Sequence, residues 1–246
     1  MFTVALIGAD GAGKTTVGRR LEAQASLPIK YIYMGVSPHS SNVMLPTTRL
    51  VVLVKRLLGK GTDIAGPPDP TKNKPRPRSL VKRWLGALKT NLRVANQLAE
   101  EWFRQGVVGY YLRQKYIVVF DRHFFSDYYA YDVAGEDPNR PLFSRLHGFL
   151  LDRFYPKPSL VILLDAPVEV LLARKGEGTA ELLQRRRQEY LDLQQVVAHF
   201  YRVDATQPIE RVVKQVTQLI QDFYQDSSGK SMQPDASKKK FLGVGE

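Results

Sequence analysis

Residues 2–7, Phe-Thr-Val-Ala-Leu-Ile, are an apolar, β-branched run that stops at Gly8-Ala9-Asp10-Gly11-Ala12-Gly13-Lys14-Thr15-Thr16. Such a run reads as a buried strand, and the stretch beyond it, through Arg20 and Leu21, reads as a helix. Gly8, Gly13, Lys14 and Thr15 satisfy G-x-x-x-x-G-K-[ST] in the strand–turn–helix setting that the motif requires. The extra Gly11 frees the loop of Cβ atoms where its backbone must close round phosphate oxygens. Successive N–H groups and the N-terminus of the next helix supply partial positive charge, Lys14 a full one, and the Thr15 hydroxyl a ligand for Mg²⁺. This is a P-loop, and it implies a bound nucleoside triphosphate.

At 246 residues the chain suits one α/β domain, expected over 1–226, with a basic, proline-rich insertion at about 59–79 and a disordered tail at 227–246. The formal charge of +12 favours a polyanionic partner, which nucleic acid, an anionic membrane or the phosphates of small ligands could each supply. Charge alone does not choose, so a nucleic-acid partner stays open without being required. The absence of cysteine excludes disulfides and thiolate metal sites, and four scattered histidines argue against a histidine-based zinc site. With no basic leader and no apolar run of about 18 residues, the expectation is a cytoplasmic protein with no membrane span.

Along the chain, Val17 and Leu21 give the first helix its inward face, Ile29–Met34 reads as a second strand, and residues 35–42 as a turn-rich loop at its carboxyl end. Thr47 or Thr48 is placed to cap a helix through Arg49, Leu50, Leu53 and Leu57, stopped by Gly59 and Gly61. The insertion carries five prolines, and residues 72–83 hold Lys72, Lys74, Arg76, Arg78, Lys82 and Arg83; it reads either as a solvated loop or as an attractor of anions. Leu80 to about Gln114 has helical periodicity. Tyr116–Phe120 is the third strand and Ser159–Leu164 the fourth.

Both of these strands end in aspartate. Asp121 can reach Mg²⁺ or its waters beside the P-loop, whereas Asp165 reads as a cap for the helix opening near Pro167. Residues 142–154 read as helical. The helix from Val168 breaks at Gly176-Glu177-Gly178, between Arg174-Lys175 and Arg185-Arg186-Arg187, as a closing lid over a triphosphate would. At 100° per residue, at most one or two of the three arginines can reach phosphate. Arg202–Asp204 is a short last strand, Thr206-Gln207-Pro208 a turn, and Ile209–Tyr224 a closing helix. Five strands alternating with helices make an α/β fold with both sheet faces covered: a P-loop NTPase three-layer sandwich with a five-stranded parallel sheet and a helical lid.

In order, the P-loop, Asp121-Arg122-His123 with Ser126, Leu163-Leu164-Asp165-Ala166-Pro167, and Val203-Asp204-Ala205-Thr206-Gln207-Pro208 resemble motifs of the thymidylate kinase family of P-loop nucleoside monophosphate kinases. The resemblance covers residues 1 to about 224 outside 35–80. It implies ATP and Mg²⁺ as cofactors, with Gly8, Gly11, Gly13, Lys14, Thr15 and Thr16 on phosphate, Thr15 and Asp121 on the metal, and Thr206, Gln207 and Pro208 bordering adenine. It implies Asp10 aligning the transferring groups, Arg122 bridging donor and acceptor, and Arg174 with one of Arg185, Arg186 and Arg187, of which Arg187 is the choice, in the lid. On the acceptor side it implies Arg49, Arg104, Asp121, Arg122, Ser126, Asp127 and Tyr131.

The chain departs from the family pattern at Met34-Gly35-Val36-Ser37-Pro38, at Ala130-Tyr131, which falls one residue late, and at Asp127. An anionic Asp127 against a thymine carbonyl is unfavourable, which leaves the acceptor base open. The expected activity is ATP-dependent phosphoryl transfer to dTMP or a related nucleoside monophosphate, with a homodimer left open. Such an acceptor needs no base, and between Glu22 and Glu100 the carboxylates are Asp63 and Asp69, both in the insertion. Two alternatives stand: a P-loop small-molecule kinase whose acceptor is not a nucleotide, with Asp121 as base, and an NTP-binding regulator whose basic segments contact nucleic acid, membrane or protein.

Overall fold

The apolar runs at Thr3–Ile7 (β1), Ile29–Tyr33 (β2), Ile117–Asp121 (β3), Leu160–Asp165 (β4) and Phe200–Asp204 (β5) pair as one parallel sheet in the order β2-β3-β1-β4-β5. The structure is a computed structural model that describes residues 1–35, 41–59, 80–123, 129, 133, 142–175 and 179–229. Its helices are α1 (Lys14–Gln24), α2 (Pro46–Leu57), α3 (Leu80–Arg113), α4 (Leu142–Arg153), α5 (Val168–Lys175), α6 (Ala180–Asp192) and α7 (Ile209–Gly229), with a 3₁₀ turn at Leu193–Gln195. This is the α/β architecture with a five-stranded parallel sheet that the strand–helix alternation requires.

Alternate strand residues face opposite layers, as the pleat demands. Val4, Leu6, Val119, Ile162 and Val203 pack with Val17 and Leu21 of α1 and with Val212, Val216 and Ile220 of α7. Ala5, Ile7, Val118, Phe120, Val161 and Leu163 pack on the other face with Val108 of α3, Leu151 of α4 and Tyr190 of α6. Strands β3 and β4 are buried along their whole length, which is why they read as continuous apolar runs.

The strand order positions the site. β1 lies between β3 and β4, with Leu6 in register with Asp121 and Ile7 with Leu163. The chain therefore leaves β1 for one side of the sheet and returns later on the other, so the carboxyl ends of β1 and β3 open side by side at the switch point.

Several boundaries differ from expectation, each for a non-local reason. Asp121 is the last residue of β3 and not a residue beyond it, and the Met34 N–H donates to its carbonyl at 2.9 Å. Helix α2 starts at Pro46 with Leu45 as N-cap, and neither Thr47 nor Thr48 caps it. The cap acceptor is the Glu100 carboxylate of α3, which takes the Leu45 N–H at 3.0 Å and the Thr48 hydroxyl at 2.8 Å. Strand β5 begins at Phe200, not Arg202. Helix α7 runs on to Gly229, so the first residues of the expected tail are helical; residues 230–246 and 60–79 lie outside the described residues.

Gly18 of α1 packs against the Tyr31 ring of β2: a Cβ there would stand 2.6 Å from ring carbons Cδ2 and Cε2. Gly18→Ala should therefore lower unfolding stability by about 1–3 kcal/mol, as overpacking does. Urea unfolding followed by circular dichroism checks it.

Candidate functional site

The loop between β1 and α1 is held open by backbone conformations that favour glycine. Gly8, Gly11 and Gly13 have φ of 144°, 91° and 90°. A Cβ on Gly8 would lie 2.5 Å from the Leu164 carbonyl oxygen, and one on Gly11 would lie 2.8 Å from that of Leu171. Helix α1 starts at Lys14 with no side-chain cap and no acidic residue in its own first turn, so the field of its N-terminus points into the loop. The Lys14 ammonium is buried and donates to the carbonyls of Gly8 at 2.7 Å and Ala9 at 2.9 Å, which places a cation on the loop's inner wall. Thr16 is exposed at the start of the helix.

Across the switch point stands Asp121, with no exposed surface. The Thr15 hydroxyl donates to its Oδ2, and so does the Tyr31 hydroxyl at 2.9 Å; Oδ1 is buried without a hydrogen-bond partner among the described residues. Burial, followed by the charge of Asp121 and the bond to it, pushes the Tyr31 pKa far up, so that Tyr31 stays a donor. These residues fit Mg²⁺. A hydroxyl and one carboxylate with an unused oxygen are the protein ligands such an ion takes when triphosphate oxygens and waters complete its octahedron, and no cluster of three acidic or histidine ligands occurs among the described residues.

Arg122 follows in the left-handed region, φ 64°, while its N–H still donates to Leu6 at 3.2 Å. That turn aims its guanidinium over the P-loop, where it pairs with Asp10. Such backbone strain in a non-glycine residue costs about 1–3 kcal/mol and persists only where its surroundings enforce it. His123, the third residue of the motif, is buried against Phe120 and Tyr155, and burial pushes its pKa down to about 3. It is neutral at pH 7 and adds no cation to the site.

A cleft joins Gly8, Ala9, Asp10 and Arg122 to Leu182, Leu183, Arg186 and Tyr190 of α6. The three consecutive arginines of α6 divide their work. Arg185 pairs with Glu189 at 3.0 Å, Arg186 lines the cleft, and Arg187 bonds Asp165 through Nε at 2.6 Å and Nη2 at 2.9 Å. Asp165 also receives Arg202 of β5, Nε at 2.8 Å, so its carboxylate ties the lid helix to β4 and β5 where a helix cap was expected. Burial opposes ionisation of Asp165, but the hydrogen bond and charge of Arg187, with those of Arg202, hold it below the usual carboxylate range.

The remaining expected residues are scattered. Arg174 donates to the Ala205 carbonyl at 2.9 Å and so anchors the turn after β5, whose Thr206 and Gln207 are bonded by Asp204. Pro208 follows just ahead of α7, its carbonyl accepting Arg211 N–H at 2.9 Å. Arg49 is exposed on α2. Arg104 is buried, ion-paired with Glu100, and donates to the Gly35 carbonyl at 3.0 Å and Ser41 Oγ at 3.3 Å, so it builds the wall after β2. Ser126, Asp127 and Tyr131 lie outside the described residues. Sequence reading missed Tyr31 as a partner of Asp121, Arg186 as the cleft arginine and the buried Glu101–His147 pair at 3.1 Å, because each depends on a contact between segments distant along the chain.

Residues 48–216 match the model of the thymidylate kinase family (Thymidylate_kin). The chain belongs to the thymidylate kinase family. The match holds β3 with Asp121 and Arg122, Asp165, α6 and the turn after β5, while the P-loop stands before it. The chain is 30% identical over 111 residues to the probable thymidylate kinase 1 of Saccharolobus solfataricus, covering 43% of this chain and 54% of that protein. To the probable thymidylate kinase of Archaeoglobus fulgidus it is 32% identical over 117 residues, 46% and 57% of the two chains. The chain thus spans a little over half the length of these curated relatives.

Within this thymidylate kinase-family site, Asp165→Asn should cost about 2 kcal/mol at pH 7, because two arginines lose their charged partner. A carboxyl whose folded pKa is lowered stabilises above its unfolded value, near 3.8, and loses that contribution as pH falls through the folded pKa. The difference between wild type and variant should therefore be full at pH 6–7 and shrink below about pH 4, as guanidinium unfolding at stepped pH would measure.

Proposed function

We propose that the chain transfers the γ-phosphoryl group of ATP to the phosphate of a nucleoside monophosphate. The observation that carries this reading is the juxtaposition of Thr15, Asp121 and Arg122 at one end of β1 and β3: a metal-side carboxylate and a cation, both facing the P-loop. Mg²⁺ there would neutralise developing charge on the β- and γ-phosphates. Lys14 and the first-turn N–H groups of α1 would hold the donor, Arg186 would close over it from α6, and Arg122, exchanging Asp10 for phosphate, would draw donor and acceptor together. The turn at Thr206–Pro208, braced by Arg174, would border the donor base.

A phosphate acceptor brings its own anionic nucleophile and needs positioning without a base. The described carboxylates near β2 and β3 suit that reading: Asp121 accepts from Thr15 and Tyr31, Glu100 from Arg104 and Thr48, and Glu101 pairs with His147. With Asp121 committed in this way, an acceptor that needs its hydroxyl deprotonated is the weaker alternative.

ADP release with Mg·ATP across dTMP, dUMP, UMP, CMP, AMP and GMP tests the proposal. Activity should rise with one nucleotide or a small set, and Lys14→Ala should lower it by at least about a hundredfold. No stimulation by any of the six, with ATP still bound, would refute a monophosphate acceptor.

A further inference from the structure

Residue 31 is a tyrosine where phenylalanine would fill the same space. Tyr31 is 3% exposed at the centre of β2, its ring against Gly18 of α1. A buried hydroxyl is costly unless it is hydrogen-bonded, and this one donates to Asp121 Oδ2 at 2.9 Å. The register makes that reach specific. Tyr33 lies beside Asp121 and Tyr31 beside Val119, so Tyr31 starts two residues short of the carboxylate, about 6.6 Å of strand. The ring carries the hydroxyl across that interval, which a serine or threonine at the same position would not span.

Oδ2 receives a second hydrogen bond, from the Thr15 hydroxyl, while Oδ1 is buried with no hydrogen-bond partner among the described residues. The terminal torsion of an aspartate is broad, so one donor leaves the carboxylate plane loosely held and two donors from different segments fix it. The two donors differ in kind. Thr15 lies in the first turn of α1 and is itself a candidate ligand of the ion, whereas Tyr31 is tied to the β2–β3 ladder and donates from outside the phosphate loop. We propose that Tyr31 is a positioning residue of the metal side: its hydroxyl holds Oδ2 and so leaves Oδ1 available to the ion that accompanies the triphosphate. The proposal rests on the Mg·ATP reading of this site and assigns Tyr31 no contact with nucleotide or metal. Side chains that hold a metal-binding group without touching the metal set its affinity by about 10–100-fold.

Tyr31→Phe tests it, since the variant keeps the ring against Gly18 and loses only the hydroxyl. ATP is titrated calorimetrically into the parent chain, Tyr31→Phe, Asp121→Asn and the double variant, each without and with Mg²⁺, and circular dichroism follows the fold of each. In the parent chain Mg²⁺ should tighten ATP binding. In Tyr31→Phe that gain should shrink by at least about tenfold, with metal-free ATP binding and the circular dichroism spectrum unchanged. Added to Asp121→Asn, Tyr31→Phe should cost nothing further, because it acts through the carboxylate. Tyr31→Leu, a second variant without the hydroxyl, should lose the same gain. A full gain from Mg²⁺ in Tyr31→Phe overturns the proposal. So does an equal loss of ATP affinity with and without the metal, which would make Tyr31 a packing residue behind the P-loop helix. Absence of any Mg²⁺ gain in the parent chain would refute the Mg·ATP reading itself, and the proposal with it.

Discussion

Burying the Asp121 carboxylate costs several kcal/mol in desolvation, and the architecture around it is the set of groups that meets that cost. The hydroxyls of Thr15 and Tyr31 both donate to Oδ2, each bond to a charged acceptor contributing about 1.5–3 kcal/mol. Thr15 belongs to the P-loop helix, Tyr31 to β2 and Asp121 to β3, so one carboxylate fixes three segments in register. Gly18 lets α1 approach the Tyr31 ring closely. The second oxygen is buried beside the P-loop, with no hydrogen-bond partner among the described residues. That oxygen is the one a divalent cation at the proposed metal side would take.

The same logic of buried charge extends outward. Asp165, at the end of β4, gathers Arg187 and Arg202 and so ties the lid helix to the sheet, leaving Arg186 turned to the cleft. Glu100 caps α2 from a distance while holding Arg104, and Arg104 in turn holds the backbone at Gly35 and the hydroxyl of Ser41. Two separate ionic centres therefore brace the sheet, one at β4 and β5 and one beyond β2, with Asp121 of β3 between them.

Much of this was legible in the chain itself, and the reason is locality. β1, the P-loop and α1 are contiguous, and strands buried on both faces announce themselves as apolar runs; the helices after β4 and the turn after β5 likewise followed from local pattern. Where the determinant was remote, the reading failed. Strand β5 was shortened because Tyr201 and Arg202 are exposed and Val203 is its buried residue, so an edge strand hides its own start. Thr47 and Thr48 looked like caps because the true acceptor, Glu100, stands on another helix. Asp165 looked like a cap because nothing in Pro167 and Val168 reveals two arginines arriving from 22 and 37 residues away. Tyr31 gave no signal at all, since an aromatic in a strand packs far more often than it positions a carboxylate.

The most direct measurement is calorimetric titration of ATP, with and without Mg²⁺, into the parent chain, Thr15→Ala and Asp121→Asn. If Asp121 and Thr15 form the metal side of the site, Mg²⁺ tightens ATP binding in the parent chain and the gain disappears in both variants, while metal-free binding at the P-loop persists. An equal gain from Mg²⁺ in all three proteins would contradict the account at its centre.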